Sequence, residues 1–292
     1  LLLGPTDSLR FVPIADANGS ASFRFRAWDQ SSGSSGGSVD ARVNGGSTAF
    51  SAVEDTATIS ISAVNDAPQF SLVFGDNSAR AVTETNGSLT ANGAVTVSDV
   101  DGNNSVTSSV VSVVKTGVTT GIAANDAALL AMLSLSPATV ISSPATSASL
   151  DWSFNSGSEA FNHLAVGEQL TLTYTIRATD SAATPLNANT TVTITVTGSN
   201  DGPTITVAIG NSDTATLTET NAALTTNGTL TVGDLDRTDA ASASVVLVST
   251  SGTTTGPSGS LASNNSQLLA MLTLSPTSIL SNTQTSNSLT WT

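Results

Sequence analysis

The chain has 292 residues with 22 Asp and Glu against 8 Lys and Arg, a formal charge of −14, one histidine and no cysteine. So few cations cannot form the clustered basic surface that nucleic-acid phosphates and acidic membranes require. The missing thiols and second imidazole exclude disulfides, thiolate zinc sites, thiol nucleophiles and multi-histidine metal centres.

Only 10% of the residues are charged, against roughly 25% in ordinary soluble domains, so the surface is neutral and rich in hydroxyls. With 39% apolar residues the composition is not that of a disordered acidic tail. No apolar stretch approaches the ~18 residues of a membrane helix, the Leu1-Leu2-Leu3 start lacks a basic leader region, and the absent initiator methionine suggests a fragment.

In chain order, Thr58-Ile59-Ser60-Ile61 alternates as a strand and runs into the linker Val64-Asn65-Asp66-Ala67-Pro68. The stretch Asp126 to Leu133, around Ala-Leu-Leu-Ala-Met-Leu, is the one helix-like piece. Further on, Leu170, Leu172, Tyr174, Ile176 and Ala178 alternate with Gln169, Thr171, Thr173, Thr175 and Arg177, the period of a half-buried strand. Val192 to Val196 is another alternating run, followed by Ser199-Asn200-Asp201-Gly202-Pro203. Several such runs between Gly, Asn, Ser and Pro turns indicate an antiparallel sandwich, with Trp152, Phe154 and Phe161 filling its core.

The chain also repeats itself. Thr83-Glu84-Thr85-Asn86 through Asp99-Val100-Asp101 returns as Thr218-Glu219-Thr220-Asn221 through Asp234-Leu235-Asp236 at an offset of 135. The run Leu129 to Leu133 returns as Leu268 to Leu272 at 139, and the same offset carries Leu150-Asp151-Trp152 onto Leu289-Thr290-Trp291. These markers divide the chain into residues 1–64, the end of one unit; 65–199, a complete unit; and 200–292, the beginning of another.

With charges so scarce, carboxylates beside the linkers call for a cation. Calcium needs only oxygen ligands, the sole donors this composition supplies in number. Asp99-Val100-Asp101-Gly102-Asn103-Asn104 sets two carboxylates at i and i+2 before a Gly turn and amide oxygens; Asp234-Leu235-Asp236 repeats the pair but continues with Arg237. The same run also reads as an Asx-type turn, as do the Asn-Asp-x-Pro linkers. Glu84 and Glu219 read equally as charges that discourage edge-to-edge strand pairing.

The order Glu84, Asp99 to Asn103, Leu164 to Glu168, Arg177-Ala178-Thr179-Asp180 and Asn200-Asp201-Gly202-Pro203 resembles a cadherin repeat. Trp152 to Gly157, Leu164 to Glu168 and the linkers resemble, more closely, VCBS repeats of large bacterial RTX-type surface adhesins. Residues 1–64, through Phe23-Arg24-Phe25-Arg26-Ala27-Trp28-Asp29, resemble the end of a related repeat. The resemblance implies an all-β fold of tandem Ig-like or cadherin-like Greek-key sandwiches with truncated terminal units, and calcium at the joints. At the second joint it implies Asn200 and Asp201 with Glu84 and Glu168 upstream and Asp234 and Asp236 downstream. At the first it implies Asn65 and Asp66 with Asp99, Asp101, Asn103 and Asp180, and in the last unit Glu219 corresponds to Glu84.

The expectation is therefore a non-catalytic, calcium-stiffened extracellular spacer whose partners are neighbouring repeats and a host-cell or surface glycan or protein. A polysaccharide-binding module, through a loop such as Ser31 to Phe50, and an appendage of a secreted hydrolase are the alternatives. Glycosidase chemistry needs two carboxylates across one cleft, whereas these recur beside linkers; a Ser-His-Asp triad would have to use His163, with no nucleophile elbow. Trp28, Trp152, Trp291, Met132 and Met271 are expected in the core.

Overall fold

The computed structural model describes residues 1–252 and 265–292. The chain divides into two compact units, Leu1–Asp66 and Ala67–Thr292.

The first unit is built on one antiparallel hairpin, β1 (Gly19–Trp28) with β2 (Phe50–Ile61). Leu2, Ala49 and Phe50 form a small buried cluster against Trp28 and Ala41. Trp28 is half-buried and its indole N–H donates to Ser32 O at 2.7 Å, so it anchors the loop that follows β1 and lies outside any large core. Arg24 and Arg26 both reach Glu54 across the ladder, at 3.0 and 3.3 Å.

The second unit begins with β3 (Gln69–Ser71), β4 (Ala79–Thr83), β5 (Thr90–Ser98) and β6 (Val106–Gly117), then α1 (Asp126–Ala131). There follow β7 (Leu133–Ser136), β8 (Thr139–Ile141), β9 (Ser147–Asn155), β10 (Gln169–Asp180) and β11 (Asn187–Thr197). Two sheets result, β4-β11-β10-β6-β8 and β3-β5-β9-β7, with a shared core. The expected alternation of β10 holds residue by residue: Leu170, Leu172, Tyr174, Ile176 and Ala178 are fully buried. Trp152, Phe154 and Phe161 lie in the same core, and the Phe154 and Tyr174 rings meet edge-on at 6.3 Å. Each such side chain contributes about 1.5–3 kcal/mol of burial. Asn125 caps α1, accepting from Ala128 N–H at 2.9 Å. Gly93 in β5 is required because a methyl there would lie 2.5 Å from the Trp152 ring and 2.6 Å from Asn77 O.

One pairing departs from the antiparallel expectation: β4 runs parallel to β11. β3 and β4 belong to different sheets and are joined by residues 72–78, which include a turn closed by the Asp76 N–H donating to Val73 O at 3.0 Å.

The remainder repeats half of this plan. β12 (Thr204–Thr206), β13 (Gly228–Gly233), β14 (Ala241–Ser242), α2 (Asn265–Met271), β15 (Leu274–Ser275), β16 (Ser278–Leu280) and β17 (Ser286–Trp291) follow in order. The sheet β12-β13-β17-β15 matches β3-β5-β9-β7 in register: Gln69↔Ser98 returns as Thr204↔Gly233, and Gly93↔Trp152 as Gly228↔Trp291. Trp152 donates to Asn77 O at 2.7 Å and Trp291 to Ser212 O at 2.8 Å. Trp291 is nonetheless half-buried, and Met271 is 62% exposed where Met132 is buried. The core expectation therefore fails for Met271; among the described residues of 200–292 no strands stand where β10 and β11 stand in the complete unit.

Candidate functional site

The registers sort the carboxylates to opposite ends of the complete sandwich. β4 ends at Thr83 beside Thr197 of β11, so Glu84 and Ser199 to Asp201 emerge together. Asp180 pairs with Val106 at the start of β6, and Gln69 with Ser98, so Asp99, Asp101 and Asp180 share the other end, where the chain enters.

At the exit end Glu84 is 1% exposed. Ser199 Oγ donates to its Oε2 at 2.7 Å, and Asn86 N–H donates to its Oε1. A sealed, hydrogen-bonded carboxylate cannot act as an edge guard, so that alternative falls for Glu84. Its counterpart Glu219 is exposed and outside any strand.

The next repeat meets this end. The Asp201 N–H donates to Asp236 Oδ2 at 2.7 Å, and Asp236 N–H to Asp234 Oδ1 at 3.1 Å. Asp234 N–H reaches Thr285 O at 3.0 Å, as Asp99 N–H reaches Thr146 O at 2.9 Å, and Asp101 N–H donates to Asp99 Oδ1 at 2.9 Å. The Asp-x-Asp loop is thus an Asx turn in both repeats, and this turn is what points the first carboxylate inward. Asp201, Asp234 and Asp236 are all buried. Asp201 Oδ2 and Asp236 Oδ1 are sealed from solvent with no hydrogen-bond partner.

Burial raises the pKa of Asp201, and nearby Glu84 and Asp234 add to the rise against a hydrogen bond from Asn86. Burial pushes Asp236 up to about 6, opposed by the Asp201 N–H and reinforced by Asp201, Asp239 and Asp234. Glu84, Asp201, Asp234, Asp236 and Asp239 therefore crowd one joint. Glu168 stands at its margin: Oε2 accepts from Ala165 N–H at 3.0 Å and Oε1 from Thr238 Oγ1 of the next repeat at 3.2 Å. Asn200 is exposed and donates to Asp201 O at 3.1 Å. Among the described residues no three carboxylates or imidazoles are already gathered at ligand spacing.

At the entry end Asp99 and Asp180 are buried, Asp101 is half-buried and Asn103 exposed. Asp180 accepts from Ala182 and Leu186 N–H, both at 3.0 Å, closing the loop after β10. Asn65 and Asp66 follow β2 at the end of the first unit.

Sequence reasoning did not single out Asn86, Ser199, Thr238 or Asp239. Asn86 stood in the repeated Thr-Glu-Thr-Asn and Ser199 beside the Asn-Asp pair, so the signal for both was adjacency to a motif. Lone His163 is buried, with a 3.4 Å contact from its ring to Val118 O, and burial lowers its pKa.

No family model matches the sequence, and no curated protein matches it. Solved structures that match include human CDH23 EC21-23, at 16% identity over 82% of this chain and 59% of that one, TM-score 0.32. The CooA pilin subunit of enterotoxigenic Escherichia coli matches at 14% identity over 47% of this chain and 100% of that one, TM-score 0.29. A PapD-like domain of human CEP192 matches at 10% identity over 46% and 86%, TM-score 0.28. With scores this low, the β-sandwich assignment rests on the strand order and registers of this chain itself.

Proposed function

We propose that this chain is a non-catalytic spacer of tandem β-sandwich repeats, stiffened by calcium at its joints and working outside the cell in a large bacterial surface adhesin. The observation that carries the reading is the pair Asp201 and Asp236, one from the linker and one from the next repeat. They are hydrogen-bonded to each other through a backbone N–H, and each holds a buried oxygen without a partner. Buried charge is costly unless it is paired or neutralised, and here only a cation or a proton can neutralise it.

The donors fit a hard cation. Carboxylates of Glu84, Asp201, Asp234 and Asp236, with amide and hydroxyl oxygens of Asn86 and Ser199 nearby, form an all-oxygen set, which suits calcium and not zinc or copper. Bound calcium would supply the positive charge these oxygens share. The chain's own residues supply the connection, since Asp201 belongs to the linker, Glu84 to the repeat before and Asp234 and Asp236 to the repeat after. Likeness of the Asn-Asp-Gly-Pro linker and Asp-x-Asp loops to VCBS repeats supports the same reading, as does the all-β, low-cation composition for an extracellular spacer. Among the described residues no helix is long and apolar enough to cross a membrane.

Calorimetric titration of calcium into the chain, with small-angle scattering in EDTA and in millimolar calcium, tests the proposal. Saturable binding at roughly 10⁻⁴–10⁻³ M and a longer or stiffer particle are expected, weakened about tenfold or more by Asp234→Ala with Asp236→Ala. Absence of both binding and shape change would leave a metal-free spacer whose carboxylates only close turns.

A further inference from the structure

Three consecutive residues at the end of the second Asp-x-Asp loop touch what precedes that repeat. Asp236 accepts from the linker, and Thr238 Oγ1 donates to Glu168. Between them, Arg237 reaches the loop that follows β6. A methyl on Gly121 of that loop would lie 2.6 Å from His163 Cβ and 2.8 Å from Arg237 Cδ. Gly121 is therefore closed in on both sides, by His163 of its own repeat and by the aliphatic stem of Arg237 from the next. Its φ of +113° also favours glycine. Glu159 and Phe161 of one repeat and Leu235 and Thr285 of the other line the cleft around this contact.

The stem is held ready for that seat. Thr283 N–H donates to Arg237 O at 2.6 Å, and the guanidinium Nη2 donates to Thr283 O at 3.4 Å, so both ends of the residue are tied to their own repeat. Among the described residues Arg237 makes no ion pair. What it brings to the contact is its stem, in the way long cationic side chains cover a neighbouring surface while the head stays in water. His163 beside it is buried, and burial, with Arg237 adding to it, lowers the imidazole pKa. The ring is thus uncharged near neutral pH and does not repel the guanidinium. The repeated plan does not require this side chain, because the residue after Asp99-Val100-Asp101 is Gly102.

We infer that Arg237 is a metal-free latch of this joint: its stem, seated on Gly121 and His163, fixes the orientation of the repeat that begins at residue 200 and accepts only a predecessor with bare backbone at that point. Domains joined by a linker move relative to one another unless such contacts hold them. The latch goes beyond the calcium reading and does not depend on it, since the stem engages no carboxylate oxygen.

The test uses the full chain. It has no cysteine, so Ser149→Cys and Ser288→Cys, at equivalent exposed positions of β9 and β17, place one spin label on each repeat. Pulsed electron paramagnetic resonance in EDTA then reads the distance between the labels with no calcium contributing. A single narrow distribution is expected while Arg237 is intact. Arg237→Ala should lose that narrowness, and Gly121→Ala should lose it too by filling the seat. Arg237→Met, which keeps a stem without the charge, should retain it. Retention of the main thermal transition checks that each variant folds; if Arg237→Ala loses it, Arg237→Gly, the residue this loop carries at 102, takes its place, and the Arg237 variants decide alone if Gly121→Ala unfolds. A broad distribution with Arg237 intact, a narrow one in Arg237→Ala, or equal broadening by Arg237→Met would each overturn the inference. Failure of the calcium titration would leave all of these results unchanged.

Discussion

Residues 67–199 and 200–292 carry nearly the same instructions up to Trp152 and Trp291, yet they fold to different extents. In the first, β6 spans Val106–Gly117 and 22 apolar residues share one core. In the second, the same pattern yields a two-residue strand and a cluster of five. The difference teaches that a strand here is a property of the pair. Val245 to Val248 has strand propensity equal to Val110 to Val113, but an unpaired strand leaves its amides and apolar side chains in water, and propensity alone does not offset the ordering entropy.

Replacing the equivalent tryptophans sharpens that comparison most. Trp152→Ala should cost about 3–5 kcal/mol, while Trp291→Ala, from a half-buried site, should cost well under half as much; denaturant unfolding followed by circular dichroism measures both. Gly93→Ala forces a methyl against the Trp152 ring and Asn77 O and should cost about 1–3 kcal/mol. Gly228→Ala meets the same obstacles, Trp291 and Ser212 O, but in the smaller core it should leave the main unfolding transition in place.

The joint between the two regions predicts a pH dependence, whose sign would reverse with the proposed calcium. The folded-state pKa of Asp236 is raised to about 6 from an ordinary 3.8, so the folded chain holds a proton that the unfolded chain has released. Without calcium, the stability that proton confers is fully present below about 3.8 and is lost as pH rises through about 6. If calcium binds there as proposed, it would compete with the same proton, and binding should weaken as pH falls through about 6. Thermal unfolding at pH 4.5 and 7.5, with calcium and with EDTA, should show opposite shifts, and Asp236→Asn should flatten both. The smallest effect belongs to the first unit: Arg24→Ala removes an exposed ion pair to Glu54 and should change stability by less than about 1 kcal/mol, measured on the same unfolding curves.

Much of this was legible in one dimension. The offsets of 135 and 139 anticipated the matching registers of β5–β9 and β13–β17, and the alternation from Gln169 to Ala178 anticipated every buried apolar residue of β10. The short helix near Asp126 and the core positions of Trp152, Phe154 and Phe161 also followed from period and size. The site was legible only in part. Asp234, Asp236 and Asp201 stood out because charge is scarce, but nothing local separates buried Glu84 from exposed Glu219, which share the run Thr-Glu-Thr-Asn. Thr197 and Ser199 lie beside Glu84, and among the described residues no strand lies beside Glu219.

The sequence by itself determined what is periodic: strand faces, the repeat spacing, the turns that open each linker, and an inventory of oxygen donors too poor in cations, thiols and imidazoles for most other chemistry. Only the tertiary structure decided which strands form and which carboxylates lose water. The physical reason is that alternation and turn chemistry are properties of consecutive residues, whereas pairing and desolvation depend on what the fold sets opposite them.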